Sequence, residues 1–132
     1  MIDCLILGDS IAVGTQQFRP ECVVYAKSGF TSGQWNKSFS DRLPLEAKTV
    51  IISLGSNDHA GVKTEAELIR IRQATVADRV FWIMPAIKPD IQAIVKRVAE
   101  SYGDTVIPIK GLQKDQVHPS WNGYRDITER SK

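Results

Sequence analysis

The sequence is poor in the side chains that bind metals. It has only two histidines and two cysteines in 132 residues. Neither His59 nor His118 has a cysteine or a second histidine at ligand spacing, so we expect no metal site and no cofactor. Cys4 and Cys22 each lie in or beside an apolar run, and we expect them to be buried, reduced thiols. If the two runs form neighbouring strands, a disulfide is also geometrically conceivable.

Long apolar runs and an excess of one charge are absent as well. No run approaches the roughly 20 residues that a membrane span requires. The N-terminus lacks the basic segment and apolar stretch of a signal peptide. We therefore expect no membrane span and a cytoplasmic location. The net charge is only +2, and the basic residues are scattered, so we do not expect nucleic acid as a partner.

The chain does contain an alternation of strand and helix patterns, and its length fits one domain over 1–132. Apolar or β-branched runs predict five strands, at 2–7, 21–26, 49–54, 79–84 and 105–109. Helical patterns lie between and after them, at 10–17, 34–43, 64–74, 89–102 and 120–130. Thr64 and Glu67 have the spacing of a capping box. Such alternation predicts a parallel sheet with helices on both faces.

Four polar stretches follow predicted strands. They contain Ser10, Gly29, Asn57 and His118. Ligands of parallel α/β sheets bind outside the carboxyl ends of the strands. We therefore expect these four residues to lie together at one edge of the sheet.

Ser10 is a candidate nucleophile, and a serine needs a base to remove its proton near neutral pH. Histidine is suited to that task. His118 has Asp115 three residues before it, close enough for the carboxylate to orient the ring. His59, next to Asp58, is an alternative base, although adjacent side chains on a loop usually diverge.

A serine that attacks a carbonyl also needs donors for the negative charge that develops on the oxygen. The backbone N–H of Ser10 is one candidate. Gly29 is a second, because a residue without Cβ allows close approach to the backbone. The side-chain amide of Asn57 is a third. Gly33 is an alternative to Gly29 in the same small-residue loop.

Taken together, these stretches resemble the SGNH (GDSL-type) hydrolase superfamily. The matching blocks follow the family's order and are Leu7-Gly8-Asp9-Ser10, Ser28-Gly29-Phe30-Thr31-Ser32, Gly55-Ser56-Asn57-Asp58 and Asp115-Gln116-Val117-His118-Pro119 running into Gly123-Tyr124. The resemblance implies a flavodoxin-like, three-layer α/β/α sandwich with a central parallel sheet of about five strands. It also implies a nucleophile, a base, an orienting acid and an oxyanion hole, which map to Ser10, His118, Asp115 and the set Ser10, Gly29 and Asn57.

The chain is short for this superfamily, which predicts short loops and a shallow, open site. We expect a serine esterase whose substrate is a small-molecule or carbohydrate ester with a short acyl group, such as acetyl. Thioester hydrolysis and acyl transfer at the same site are alternatives, as is a catalytically idle carbohydrate-binding domain. Trp35 and Trp121 lie near the predicted site and could line a pocket, whereas Trp82 is expected in the core.

Overall fold

The computed structural model describes all 132 residues and shows strands and helices in alternation. The strands are β1 (Ile2–Gly8), β2 (Val23–Ala26), β3 (Leu45–Ser53), β4 (Thr75–Val76), β5 (Arg79–Ile83) and β6 (Thr105–Ile107). The helices are α1 (Ser10–Phe18), α2 (Ser32–Phe39), α3 (Thr64–Gln73), α4 (Pro89–Ser101) and α5 (Trp121–Arg130). A single 3-10 turn over Ser40–Arg42 follows α2.

All strand pairs are parallel, and the sheet order is β2-β1-β3-β5-β6. The two-residue β4 was not expected from the sequence; it pairs with Leu45 and Glu46 at the start of β3. This extra partner explains why β3 begins four residues earlier than predicted. Without β4, the order is that of flavodoxin-like sheets, in which a ligand crevice opens where the chain reverses direction, here between β1 and β3.

Two apolar cores cover opposite faces of the sheet. Alternation along β1 directs Leu5 and Leu7 into the larger core and Cys4 and Ile6 into the smaller one. Helices α2, α3 and α4 pack on the larger core, to which they contribute Trp35, Leu68, Ile71, Ile91, Val95, Val98 and Ala99. Helices α1 and α5 cover the other face with Ile11, Ala12 and Ile127. The predicted three-layer α/β/α sandwich is therefore confirmed.

Cys4 and Cys22 form a disulfide, so the expectation of two reduced thiols is wrong. The register of the sheet places Leu5 opposite Val23, which brings the preceding residues to a Cα–Cα distance of 4.8 Å. Sequence patterns locate strands but not their register. Disulfides persist mainly in oxidising compartments, and the cytoplasmic location expected above stays a prediction. No helix is both long and apolar enough to cross a membrane.

The predicted capping box at α3 is also wrong. Thr64 lies inside the helix, Lys63 is the N-cap without a side-chain bond, and the Thr64 hydroxyl donates to Asp58. The structure has a capping box at α2 instead, where Thr31 and Gln34 exchange hydrogen bonds of 2.9 and 3.1 Å. The buried Asp58 carboxylate, six residues earlier in the β3–α3 loop, accepts a hydrogen bond from the Thr64 hydroxyl instead, and the capping-box spacing does not reveal such a competitor.

Candidate active site

Ser10 is the first residue of α1, directly after the sharp turn that ends β1. Gly8 has a φ of +143°, and a Cβ at that position would collide with the backbone of Ser53 in β3. Glycine is therefore required there. The N–H of Asp9 donates to the Ser53 carbonyl at 3.1 Å, which attaches the turn to β3. This geometry leaves the half-buried Ser10 at the carboxyl edge of the sheet, with an N–H that has no partner within its helix.

A continuous chain of hydrogen bonds links Ser10, His118 and Asp115. The Ser10 hydroxyl lies 2.8 Å from His118 Nε2, although the two residues are 108 positions apart. On the other side of the ring, Nδ1 lies 2.6 Å from an Asp115 carboxylate oxygen. A nucleophile, a base and a group that orients the base therefore stand in the order required for serine activation.

Asp115 is held by backbone as well as by the imidazole ring. Its Oδ1 accepts from the N–H groups of Val117 and His118 at 2.9 and 3.0 Å. The His118 N–H, then the Val117 N–H, then the ring lower the pKa of Asp115 to about 2. Asp115 is therefore ionised at neutral pH and can accept a hydrogen bond from the ring. Gln116, with a φ of +62°, closes this turn.

The alternative base His59 has a different environment. It is exposed, and its Nδ1 accepts from the Gly61 N–H at 3.1 Å. The neighbouring Asp58 bonds to Ser32 and Thr64 rather than to His59. The geometry thus assembles the serine with His118 and not with His59.

The loop before α5 holds His118 in place. Leu112 and Pro119 form an antiparallel bridge, and the Gln113 N–H donates to the His118 carbonyl at 2.8 Å. The Gln113 side chain also donates to the Pro119 carbonyl at 3.0 Å. These contacts on both sides of His118 restrict its backbone.

Two glycines allow α5 to pack close enough to α1 for His118 to contact Ser10. A Cβ on Gly14 of α1 would overlap the ring of Tyr124, and one on Gly123 would overlap the Gly111 carbonyl. Sequence reasoning missed the role of Gly14. The available signal was a glycine inside a predicted helix, which costs about 1 kcal/mol relative to alanine and often marks close packing.

The candidate oxyanion donors lie on the loops after β1, β2 and β3. Gly29, with a φ of +85°, is exposed, and its N–H has no acceptor within the protein. The Asn57 amide donates to the Phe30 carbonyl at 3.0 Å, which joins the two loops. The alternative, Gly33, lies in the first turn of α2 beside the Glu67 carboxylate. Gly29 therefore fits the role of backbone donor better than Gly33 does.

Asp58 is a buried residue whose role the sequence reasoning missed. Its carboxylate accepts from the Ser32 N–H and hydroxyl at 2.9 and 2.6 Å and from the Thr64 hydroxyl at 2.8 Å. Lys88 donates to the carbonyls of Ser56 and Asp58. These bonds hold the β3–α3 loop against the start of α2 and thereby support both oxyanion-donor loops.

Asp9 is buried immediately before the candidate nucleophile. One carboxylate oxygen accepts from the Ile11 N–H at 3.0 Å and from the Ser53 hydroxyl at 3.2 Å. The other oxygen has no partner. Burial raises the pKa of Asp9 from its ordinary 3.8 to about 6, and the two hydrogen bonds oppose part of that rise.

The surface around Ser10 is open. The structure has two surface cavities, and neither is lined by Ser10 or His118. One, of about 340 Å³, lies beside the start of α2, and the other, of about 300 Å³, lies between α1 and α5. Trp35 is fully buried and donates to the Tyr25 carbonyl, so it lines no pocket, contrary to one possibility raised above. Trp121, in contrast, is exposed and lines the second cavity.

The structure contains one cluster of potential metal ligands, formed by Cys4, Glu21 and Cys22. The two sulfur atoms of this cluster are bonded to each other. A disulfide cannot supply the thiolate ligands that such a site needs.

Comparison with protein-family models and with curated proteins found no match. Solved structures do match. A GDSL-like lipase from Bacteroides thetaiotaomicron superposes with a TM-score of 0.71 at 18% identity, covering 97% of this chain and 84% of that one. The lipase/acylhydrolase from Enterococcus faecalis has a TM-score of 0.61 at 16% identity, with coverages of 98% and 97%. The C-terminal catalytic domain of peptidoglycan O-acetyltransferase A from Streptococcus pneumoniae has a TM-score of 0.60 at 19% identity, with coverages of 96% and 88%.

These likenesses identify the architecture as the SGNH (GDSL-type) hydrolase fold. The shared fold spans nearly the whole chain. At such low identities it establishes the fold alone, because one fold can host different functions. The chemistry has to be inferred from the side chains at the sheet edge.

Proposed function

We propose that the chain is a metal-independent serine esterase that hydrolyses short acyl esters. The observation that carries the proposal is the hydrogen-bonded chain from the Ser10 hydroxyl through His118 to Asp115, with distances of 2.8 and 2.6 Å. A buried or surface serine without this role has no need of an imidazole that is itself oriented by an ionised carboxylate.

In the proposed reaction, His118 Nε2 takes the proton of the Ser10 hydroxyl as its oxygen attacks the ester carbonyl. The tetrahedral intermediate collapses, the alcohol leaves with the proton from His118, and the acyl group stays on Ser10. A water molecule then transfers a proton to His118 and attacks the acyl carbon. The second tetrahedral intermediate collapses, the acid leaves, and His118 returns the proton to the Ser10 oxygen. Asp115 holds the ring and stabilises the imidazolium in both halves.

The negative oxygen of each tetrahedral intermediate needs preorganised donors. The N–H groups of Ser10 and Gly29 and the amide of Asn57 are proposed for this role. The Asn57 nitrogen gives one hydrogen to the Phe30 carbonyl and retains a second. No heavy atom lies within 4 Å of the position that a Cβ on Gly29 would occupy, so this loop is open on that side.

The substrate class follows from the open surface and the short loops. No cavity large enough for a long acyl chain surrounds Ser10, which favours small acyl groups such as acetyl. The matching solved structures include lipases, acylhydrolases and an O-acetyltransferase domain, which supports acyl-ester chemistry in general. Thioester hydrolysis and acyl transfer to an alcohol would use the same side chains. A catalytically idle carbohydrate-binding domain would not explain the hydrogen bonds that link Ser10, His118 and Asp115.

The test is hydrolysis of p-nitrophenyl acetate by the wild type and by Ser10→Ala, with folding checked by circular dichroism. We expect Ser10→Ala to lose about 10³-fold or more in kcat/KM, because the nucleophile is removed. His59→Ala is the matched control and should retain activity, whereas His118→Ala should not. Equal rates for the wild type and Ser10→Ala would refute the proposal.

Two further measurements distinguish the related activities. A series of oxygen esters and thioesters of increasing chain length separates an esterase from a thioesterase. Addition of an acceptor alcohol, with analysis of the products, detects acyl transfer. Labelling with a fluorophosphonate and mapping of the modified residue tests Ser10 as the nucleophile without any knowledge of the substrate.

A further inference from the structure

The cavity between the end of α1 and the start of α5 is built around an exposed tryptophan. Its lining consists of Gln17, Phe18, Trp121 and Arg125, and its volume is about 300 Å³. Trp121 is 69% exposed, yet its indole stands edge-on to the Phe18 ring at a centroid distance of 4.8 Å. Phe18 in turn stacks on Tyr124 at 5.6 Å. An aromatic surface is thus held in a fixed orientation while most of it faces solvent.

Polar groups around this indole are free to bind a ligand. The side chains of Gln17 and Arg125 are exposed and form no hydrogen bond or ion pair within the protein. The indole N–H of Trp121 also has no partner, whereas those of Trp35 and Trp82 donate to Tyr25 and Asp104. Apolar contact area and unused donors therefore meet in one small cavity.

This combination suits a sugar ring better than other ligands. A pyranose has a C–H face that packs on an aromatic ring and hydroxyls that accept from a guanidinium or an amide. An aliphatic acyl chain would leave the donors of Gln17 and Arg125 unused. A folded protein partner commonly needs about 800 Å² on each side, far more than these four side chains offer.

Gln17 and Phe18, at the end of α1, line the cavity, whereas Ser10 begins that helix. Phe18 ends the helix that Ser10 begins, and the helical rise places their Cα atoms about 12 Å apart. Trp121 is three residues beyond His118 in the chain. A ligand that reaches from Ser10 to the Phe18 side of the cavity is therefore longer than a single small ester, as a chain of sugar units is.

We propose that this cavity is a subsite for a carbohydrate chain. It binds a sugar unit remote from the acylated one, with the ring on Trp121 and hydroxyls on Gln17 and Arg125. The inference rests on the proposed esterase function and extends it by naming an acylated oligosaccharide or polysaccharide as the substrate class.

The test is a titration of the ¹⁵N-labelled full chain with unacylated hexasaccharides derived from xylan, cellulose, chitin and polygalacturonate. The three indole N–H signals give an internal comparison, since only that of Trp121 is free of an internal partner. The Trp121 signal is assigned by its loss in Trp121→Ala. We expect at least one hexasaccharide to shift this signal saturably and to leave those of Trp35 and Trp82 in place.

Variants then test whether the shift of the Trp121 signal results from binding in the cavity. Trp121→Ala should weaken the affinity about tenfold or more, measured by calorimetry, and Trp121→Phe should restore part of it. Arg125→Ala should weaken binding as well. Tyr102→Ala is the matched control, because Tyr102 is a partly exposed aromatic residue at the end of α4, on the opposite face of the sheet, and it should leave binding unchanged.

Three results would overturn the proposed subsite. The first is no shift of the Trp121 signal with any of the hexasaccharides at about 10 mM, and the second is binding that Trp121→Ala leaves intact. The third is a Trp121 signal that moves with protein concentration alone, as binding of a second copy of the chain would cause. Sugar binding does not require Ser10 chemistry. Binding without ester hydrolysis would therefore refute only the esterase proposal, and hydrolysis of p-nitrophenyl acetate without binding would refute only the subsite.

Discussion

Ionisation of Asp9 should destabilise the folded state as the pH rises. This carboxyl is 1% exposed, and one of its oxygens has no hydrogen-bond partner. Burial raises its pKa from the ordinary 3.8 to about 6. Well below pH 3.8 the group is protonated in both the folded and the unfolded chain, whereas above pH 6 the folded chain has to bury a carboxylate.

The magnitude follows from the difference between the two pKa values. Between them the folded chain holds a proton that the unfolded chain has released, so the free energy of unfolding falls as the pH rises. Each pKa unit corresponds to about 1.4 kcal/mol, so the complete effect is about 3 kcal/mol. About 2.4 kcal/mol of it falls between pH 4 and pH 7, because the unfolded chain is already partly ionised at pH 4.

Asp9→Asn isolates this effect from the other titrating groups. The asparagine keeps an oxygen for the Ile11 N–H and the Ser53 hydroxyl but has no charge to bury. We expect the stability of the wild type relative to Asp9→Asn to decrease by about 2.4 kcal/mol from pH 4 to pH 7. Urea denaturation of both proteins at a series of pH values measures this difference.

An N-cap aspartate at a solvent-exposed helix start gives the opposite sign, since hydrogen bonds to a helix N-terminus favour the ionised form. A wild type that gains stability over Asp9→Asn with rising pH, or a constant difference, would refute the reasoning. The ¹³C signal of the Asp9 carboxyl gives an independent check. A midpoint at or below pH 4 in the folded protein would contradict the effect of burial.

Two further predictions concern Asp115 and the disulfide. Asp115→Asn should lower kcat for p-nitrophenyl acetate by about 10²–10⁴-fold with little change in KM, because the ring loses its carboxylate partner; an unchanged kcat would show that the contact has no catalytic role. Reduction of Cys4–Cys22, which are 18 residues apart in the chain, should lower the free energy of unfolding by about 3 kcal/mol. Urea denaturation with and without dithiothreitol measures it, and a Cys4→Ala/Cys22→Ala double variant should not respond to the reductant.

The parts of the fold that sequence reasoning predicted are those encoded by local patterns. The continuous apolar run over 2–7 predicts β1, and Gly8 marks its end. The spacing of apolar residues in α4 predicts a helix packed on one side, as observed. Pro89 and Gly103 mark its ends to within two residues. Such features depend on contacts between near neighbours in the chain, so the sequence displays them directly.

The missed features depend on contacts that the spacing of residues in the sequence does not encode. Thr64 has the spacing of an N-cap, but its hydroxyl donates to the buried Asp58 carboxylate. Trp35 lies next to the site in sequence, yet it packs into the core through a bond to Tyr25. The two-residue β4 forms only because the start of β3 offers an open edge. None of these contacts produces a periodic pattern in the sequence.

The sequence alone determined the alternating architecture, the position of Ser10 after β1 and the short spacing of Asp115 and His118. Each of these follows from residues within about one turn or one strand of each other. Only the tertiary structure decided that His118 and not His59 meets Ser10 across 108 residues, and that Cys4 pairs with Cys22. The register of the parallel strands brings Cys4 to Cys22, and the close packing of α5 on Gly14 brings His118 to Ser10. Both distances depend on the whole assembled sheet and its helices.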